Sequence, residues 1–208
     1  DFLNDKSRYS YLSNNVVLRN DIDLNLLPEE SKNITFIMTH DIFGNGKSII
    51  SAKPQGSKNK YFGVCIKFLG YGQNIVDTRF TGKVVNETEE VLLDDFLYYG
   101  IPVAIGNDEK NGAAFSEKTK ATFTNCVFEN SYRNVSICRA DAEFIRCVFN
   151  NAAEANVSLR TTTGNNSTLT LKDSVVANST VAGIVNWCNE IVPETSYCTI
   201  NVENTKFY

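Results

Sequence analysis

Apolar and polar positions recur along this chain in a short pattern. Ala121-Thr-Phe-Thr-Asn-Cys-Val-Phe-Glu-Asn130 is followed by Ala142-Glu-Phe-Ile-Arg-Cys-Val-Phe-Asn-Asn151, so Cys126 and Cys147 hold equivalent places, 147 − 126 = 21 residues apart. The pattern returns as Leu169-Thr-Leu-Lys-Asp-Ser-Val-Val-Ala-Asn178 and as Ile200-Asn-Val-Glu-Asn-Thr-Lys-Phe207, with Ser174 and Thr205 in the cysteine place. A shorter copy is Asn74-Ile-Val-Asp-Thr-Arg-Phe80. Each copy opens on an alternating strand carrying Phe123, Phe144, or Leu169 and Leu171, turns a polar corner, and continues as a second short strand that runs into an Asn. A third apolar stretch follows, at Val135–Cys138, Val157–Leu159 and Gly183–Trp187.

Self-similarity of this kind marks a repeat architecture, in which no unit buries its own apolar side chains and stacked neighbours bury them together. The predicted fold is all-β: a right-handed parallel β-helix (β-solenoid) with three short strands per coil and roughly 6–8 coils. Coils stacked about 4.8 Å apart place like residues on like residues. Cys126, Cys147 and Ser174 are expected to form one interior column, and Phe128, Phe149, Val176 and Phe207 another. The spacings 21, then 174 − 147 = 27, then 205 − 174 = 31 fit strands of constant placement joined by corners of variable length. Asn130, Asn150 or Asn151, and Asn178 suit tight corners, because Asn tolerates the left-handed backbone. The organisation expected is one β-helix domain over 1–208, with residues 1–30 as N-terminal cap and first coil and 86–118 as an irregular insertion. The best helical stretch, Glu87 to Tyr99, falls within that insertion.

The first half is less regular. Val16–Leu18 and Ile22–Leu24 read as opening strands, and Ile34–Met38 leads into Asp41-Ile-Phe-Gly-Asn-Gly-Lys-Ser-Ile-Ile50. On this I-x-G-N-G-x-x-I segment and the Cys-Val-Phe copies, the chain resembles the pectin-lyase-like right-handed β-helix proteins, adhesin-like surface proteins among them. The resemblance implies a fold and not an activity, since that fold carries lyases, hydrolases, tailspikes and adhesins alike.

Composition narrows the functional classes. The net charge of −4 and the scattered Lys and Arg argue against a nucleic-acid partner. No apolar run reaches the roughly 20 residues of a membrane span. His40 is the sole histidine, which leaves no imidazole-rich metal site and no nucleophile elbow around it; no cofactor or metal is predicted. Gly44-Asn-Gly46-Lys47-Ser48 lacks the spacing of a phosphate loop and reads as a glycine turn. The acidic run Glu87, Glu89, Glu90, Asp94 and Asp95 reads as a solvated loop, without the spacing of an EF-hand.

Several residues remain as candidates. Arg139 and Arg160 lie about one coil apart, with Asp141 beside Arg139 and Trp187 a coil further on. A row of Arg, Arg and Trp on one face would bind an acidic sugar chain through charge-assisted hydrogen bonds and ring stacking; it equally describes an ordinary solvated face. The motifs by which polygalacturonase-type hydrolases are recognised are missing: no Gly-His-Gly occurs, and no Asp pair on a late coil. Seven sequons mark Asn33, Asn86, Asn134, Asn156, Asn165, Asn166 and Asn178 as glycosylation candidates, with corner chemistry rather than glycans the alternative reading. Among the six cysteines no C-x-x-C pair occurs. Cys188 and Cys198 bracket a loop and are the first candidates for a disulfide. Cys126 and Cys147 read first as a ladder of reduced thiols, with a disulfide between them the alternative.

The function expected is that of a non-enzymatic, extracellular or surface-exposed structural or adhesive module that presents loops or self-assembles. Its β-helix ends are expected to meet a second copy or a neighbouring domain, because open ends expose unpaired strand edges. The alternative is a protein that binds or cleaves polysaccharide, a lyase or a hydrolase.

Overall fold

The computed structural model describes residues 9–28, 35–51, 64–82, 101–106, 118–161, 166–188 and 197–208. Within them every strand pairing is parallel, and the strands form one continuous seventeen-stranded sheet wound around a core, a parallel β-solenoid.

The strands, in chain order, are β1 (Tyr9–Leu12), β2 (Val16–Val17), β3 (Ile22–Asp23), β4 (Thr35–Met38), β5 (Ile42–Ile50), β6 (Val64–Phe68), β7 (Tyr71–Thr81), β8 (Ile101–Gly106), β9 (Thr119–Thr124), β10 (Val127–Cys138), β11 (Ala140–Ile145), β12 (Val148–Thr161), β13 (Ser167–Lys172), β14 (Val175–Val176), β15 (Ala182–Cys188), β16 (Cys198–Glu203) and β17 (Lys206–Phe207). They build three faces. The first stacks β1, β4, β6, β8, the second halves of β10 and β12, and β15. The second stacks β2, the starts of β5 and β7, then β9, β11, β13 and β16. The third stacks β3, the ends of β5 and β7, the first halves of β10 and β12, then β14 and β17.

The predicted columns form. Val148 N–H donates to Cys126 O and Val175 N–H to Cys147 O, which places Cys126, Cys147 and Ser174 one above another, all buried. The column runs on to Thr205, which the repeat puts in the cysteine place, and back to Thr78. In each coil the hydroxyl or thiol donates to the carbonyl two residues back: Thr78 to Val76, Cys126 to Thr124, Cys147 to Ile145, Ser174 to Lys172, Thr205 to Glu203. The residue before each one, Asp77, Asn125, Arg146, Asp173 or Asn204, has φ between 47° and 54°. This corner therefore needs a residue that accepts the left-handed region, followed by a small donor that satisfies a carbonyl the turn would leave open.

The aromatic columns fill the centre. Phe80 stacks on Phe128 with ring centroids 5.4 Å apart, Phe128 on Phe149 at 5.0 Å, and Phe123 on Phe144 at 4.9 Å. These separations follow the coil spacing, while edge-to-face contacts such as Phe144–Phe149 at 5.0 Å lock one column against the other. Burial of each such ring stabilises the fold by roughly 1.5–3 kcal/mol.

Three features differ from the sequence-based expectation. The second and third strands of a coil are continuous in β10 and β12, because Asn130 and Asn151, at φ 59° and 51°, bend the strand without interrupting its pairing. Ile101–Gly106, inside the span expected to be an irregular insertion, is the regular strand β8, whose Val103 and Ile105 face the core. Strands β1 and β6 belong to no recognised copy of the pattern and lie on the first face. The acidic run and the helical stretch 87–99 lie outside the described residues. In the early coils, Gly46 takes φ 72°, as a glycine turn requires, whereas Gly44 is needed for space: a Cβ there would stand 2.3 Å from Asp77 O.

Candidate functional site

Register decides whether the candidate sugar-binding row exists. Arg160 is in register with Trp187, so these two positions stack. The residue beneath Arg160 is Cys138, not Arg139. Arg139 lies one residue further on, at the corner into β11, with φ 50°. The row of three is therefore a pair. The two acids that follow Arg139 in the sequence are engaged with lysines: Asp141 pairs with Lys118, and Glu143 lies 2.8 Å from Lys172 Nζ. The Glu143 carboxylate raises the pKa of Lys172, chiefly through that hydrogen bond. Across the second face the charges thus alternate in sign from coil to coil, Lys118, then Asp141 and Glu143, then Lys172, which favours this stacking register over others. His40 is an exposed corner residue, its Nδ1 2.9 Å from Thr39 Oγ1.

The sequons divide. Asn134 and Asn156 are 0% exposed. Asn134 Nδ2 donates to Asn150 O at 2.8 Å and to Asn156 Oδ1 at 2.6 Å, Asn156 Nδ2 donates to Ala177 O at 2.8 Å, and Ser131 Oγ donates to Asn134 Oδ1 at 2.5 Å. These amides form an internal ladder, so neither Asn is available to carry a glycan in the folded chain. Asn178 is exposed, and Asn166 is half-buried with Oδ1 accepting from Tyr197 N–H. Asn33, Asn86 and Asn165 lie outside the described residues.

Neither candidate disulfide is formed: Cys126, Cys147 and Cys198 take part in no disulfide, and Cys126 and Cys147 form the ladder of reduced thiols. Stacked residues of one column point in parallel about 4.8 Å apart, whereas a bridge draws the two Cβ atoms to about 3.8 Å. Cys126 Sγ instead donates to Ile75 O and Thr124 O, and Cys147 Sγ to Phe123 O and Ile145 O. Burial, followed by the Cys147 thiol, pushes the Cys126 thiol far above its ordinary range, so it remains protonated and unreactive. Cys198 Sγ lies 3.7 Å from Asn186 Oδ1; the side chain of Cys188 is outside the described set.

Sequence reasoning missed the buried pair Arg133–Glu154, which sits where β10 and β12 turn from the third face to the first, with the Arg133 guanidinium 5.7 Å from the Tyr132 ring centroid. It also missed Gln73, which staples a corner by accepting from Gly70 N–H and donating to Met38 O and His40 O. One signal was present: Asn134-Val-Ser and Asn156-Val-Ser recur 156 − 134 = 22 residues apart, against 21 for the cysteines. The extra residue is the bulge between the pairs Ser131↔Ala152 and Arg133↔Ala155.

The last coil completes the inventory. Ile200 and Val202 continue the columns of Leu169 and Leu171, and Phe207 that of Val176. The three lower residues are buried, whereas Ile200, Val202 and Phe207 are 45%, 50% and 48% exposed. The upper edges of β15, β16 and β17 have no strand paired to them among the described residues. In the same set, no helix is long and apolar enough to cross a membrane, and no group of three or more His, Cys, Asp or Glu is placed to hold a metal ion. No protein-family model, curated protein or solved structure matches this chain.

Proposed function

We propose that the protein is a non-enzymatic structural module, a rigid β-solenoid segment of an extracellular or surface-exposed assembly that docks a further β-coil on the face formed by β15, β16 and β17. The observation that carries this reading is the exposure of Ile200, Val202 and Phe207 at the top of columns that are otherwise buried. An apolar surface framed by open strand edges is completed by another coil, because only a β-strand supplies both the apolar contacts and the missing backbone partners. The coil comes from a second copy, from a neighbouring domain or from further coils of the same chain. The three-faced coils and Asn corners support extending the resemblance with pectin-lyase-like, adhesin-like proteins from motif to superfamily.

Light scattering across a concentration series, together with negative-stain electron microscopy, tests the self-docking form. End-to-end species are expected for the wild type and are expected to vanish in I200K/V202K, which places charge on the face while leaving every residue of the buried coils unchanged. A wild type that stays monomeric at the highest concentration, with no stacks on the grid, removes self-assembly.

A second reading, polysaccharide binding or cleavage, keeps one point in its favour: the in-register placement of Arg160 and Trp187. Unchanged polysaccharide binding or cleavage in R160A eliminates it.

A further inference from the structure

Two of the sequons lie where the fold admits no modification, and this bears on where the chain folds. The amides of Asn134 and Asn156 are wholly buried, and both N–H bonds of Asn134 Nδ2 are in use, toward Asn150 O and Asn156 Oδ1. Asn156 Nδ2 in turn satisfies Ala177 O. N-glycosylation acts on this same nitrogen. A bond forms from Nδ2 to the anomeric carbon of the sugar, the bond from that carbon to its lipid-pyrophosphate carrier breaks, and the amide gives up one proton to the transferase. At Asn134, where both N–H bonds are in use, the product loses a donor that the ladder needs. At either position, both 0% exposed, it carries a bulky, hydrated oligosaccharide, a group proper to surfaces, into the solenoid wall.

We infer that N-glycosylation at Asn134 or Asn156 and folding of this solenoid exclude one another, so that the chain is suited to a compartment in which Asn-x-Ser/Thr is left unmodified. The exclusion belongs to these two positions and not to sequons in general: Asn178 is exposed, and its Nδ2 donates one bond, to Asn150 Oδ1 at 2.8 Å, which a glycosylated amide can keep. A surface-exposed location remains compatible with the inference, provided that the route to the surface bypasses oligosaccharide transfer.

The full chain tests this when expressed in a glycosylating cell, once through the secretory route behind a cleavable signal and once in the cytosol. The test variant is S136A/S158A. It destroys both sequons and leaves both asparagines in place, and the buried Ser158 Oγ has no hydrogen-bond partner to lose. The cytosolic wild type is expected to be folded and protease-resistant. The secretory wild type is expected to show the mass of a glycan at Asn134 or Asn156 together with loss of protease resistance and of secretion. The double variant sent by the same route is expected to regain both. A secreted, protease-resistant wild type that carries a glycan at Asn134 or Asn156 overturns the exclusion, and one that is unmodified at both overturns the restriction on compartment. Failure of the double variant to recover by the secretory route while its cytosolic form folds overturns the inference as well.

Discussion

Leu171 and Val202 occupy one column, one coil apart, and follow the same sequence pattern, yet the first is fully buried and the second half exposed. The same contrast separates Val176 from Phe207. In a solenoid, burial is thus set by whether a coil lies above, not by a residue's place in the repeat. The opposite end differs again. There Leu18 and Leu24 are tucked inward, and a 3₁₀ turn over Leu24–Leu26 is held by Asp23 Oδ1, which accepts from Asn25 N–H.

Substitutions at equivalent places in the central and last coils turn this comparison into numbers. Phe144→Ala removes a ring in contact with Phe123, Phe128 and Phe149 and is expected to cost about 4 kcal/mol, whereas Val202→Ala, at the exposed end of the same column, is expected to cost less than about 1 kcal/mol. Urea unfolding of the two variants checks this, and equal costs would show that the last coil is covered in solution. Glu154→Ala leaves Arg133 buried without its carboxylate and is expected to cost about 3 kcal/mol in the same assay. Asn156→Ala strands Ala177 O and one N–H of Asn134, for about 2 kcal/mol, with faster amide exchange expected around β12 and β15.

The smallest expected effect is a gain. At the corner that begins the hydroxyl and thiol column, Arg146 holds φ 53° where the other coils use Asp or Asn. Arg146→Asn relieves that strain and exchanges the guanidinium beside Asn125 for an amide, so a rise in thermal midpoint corresponding to about 0.5–1 kcal/mol is expected. No rise would mean that the bond from Arg146 Nε to Asn125 Oδ1 offsets the backbone strain.

Legibility followed repetition. Where the pattern recurs at close intervals, from Ala121 to Asn178, the first two strands of each coil, their columns and the Asn corners could be assigned residue by residue, because like side chains must stack on like. The strands β1, β6 and β8 escaped notice because their partners in the stack share apolar character but no motif. The candidate sugar row failed on a single residue of register: counting along the chain put Arg139 under Arg160, and the bulge after Ser131 moves Cys138 into that place. The buried Arg133–Glu154 pair was unreadable from sequence, since a charged residue that follows a corner looks like a solvated one until the neighbouring coils enclose it.

What the sequence determined by itself is the solenoid: a periodic apolar code, punctuated by residues that accept the left-handed backbone, has few other ways to bury its side chains. What only the tertiary structure decided is which polar side chains lie inside and which apolar ones lie outside. Those depend on a one-residue bulge and on the presence or absence of a coil above, and both are properties of the stack rather than of any single repeat.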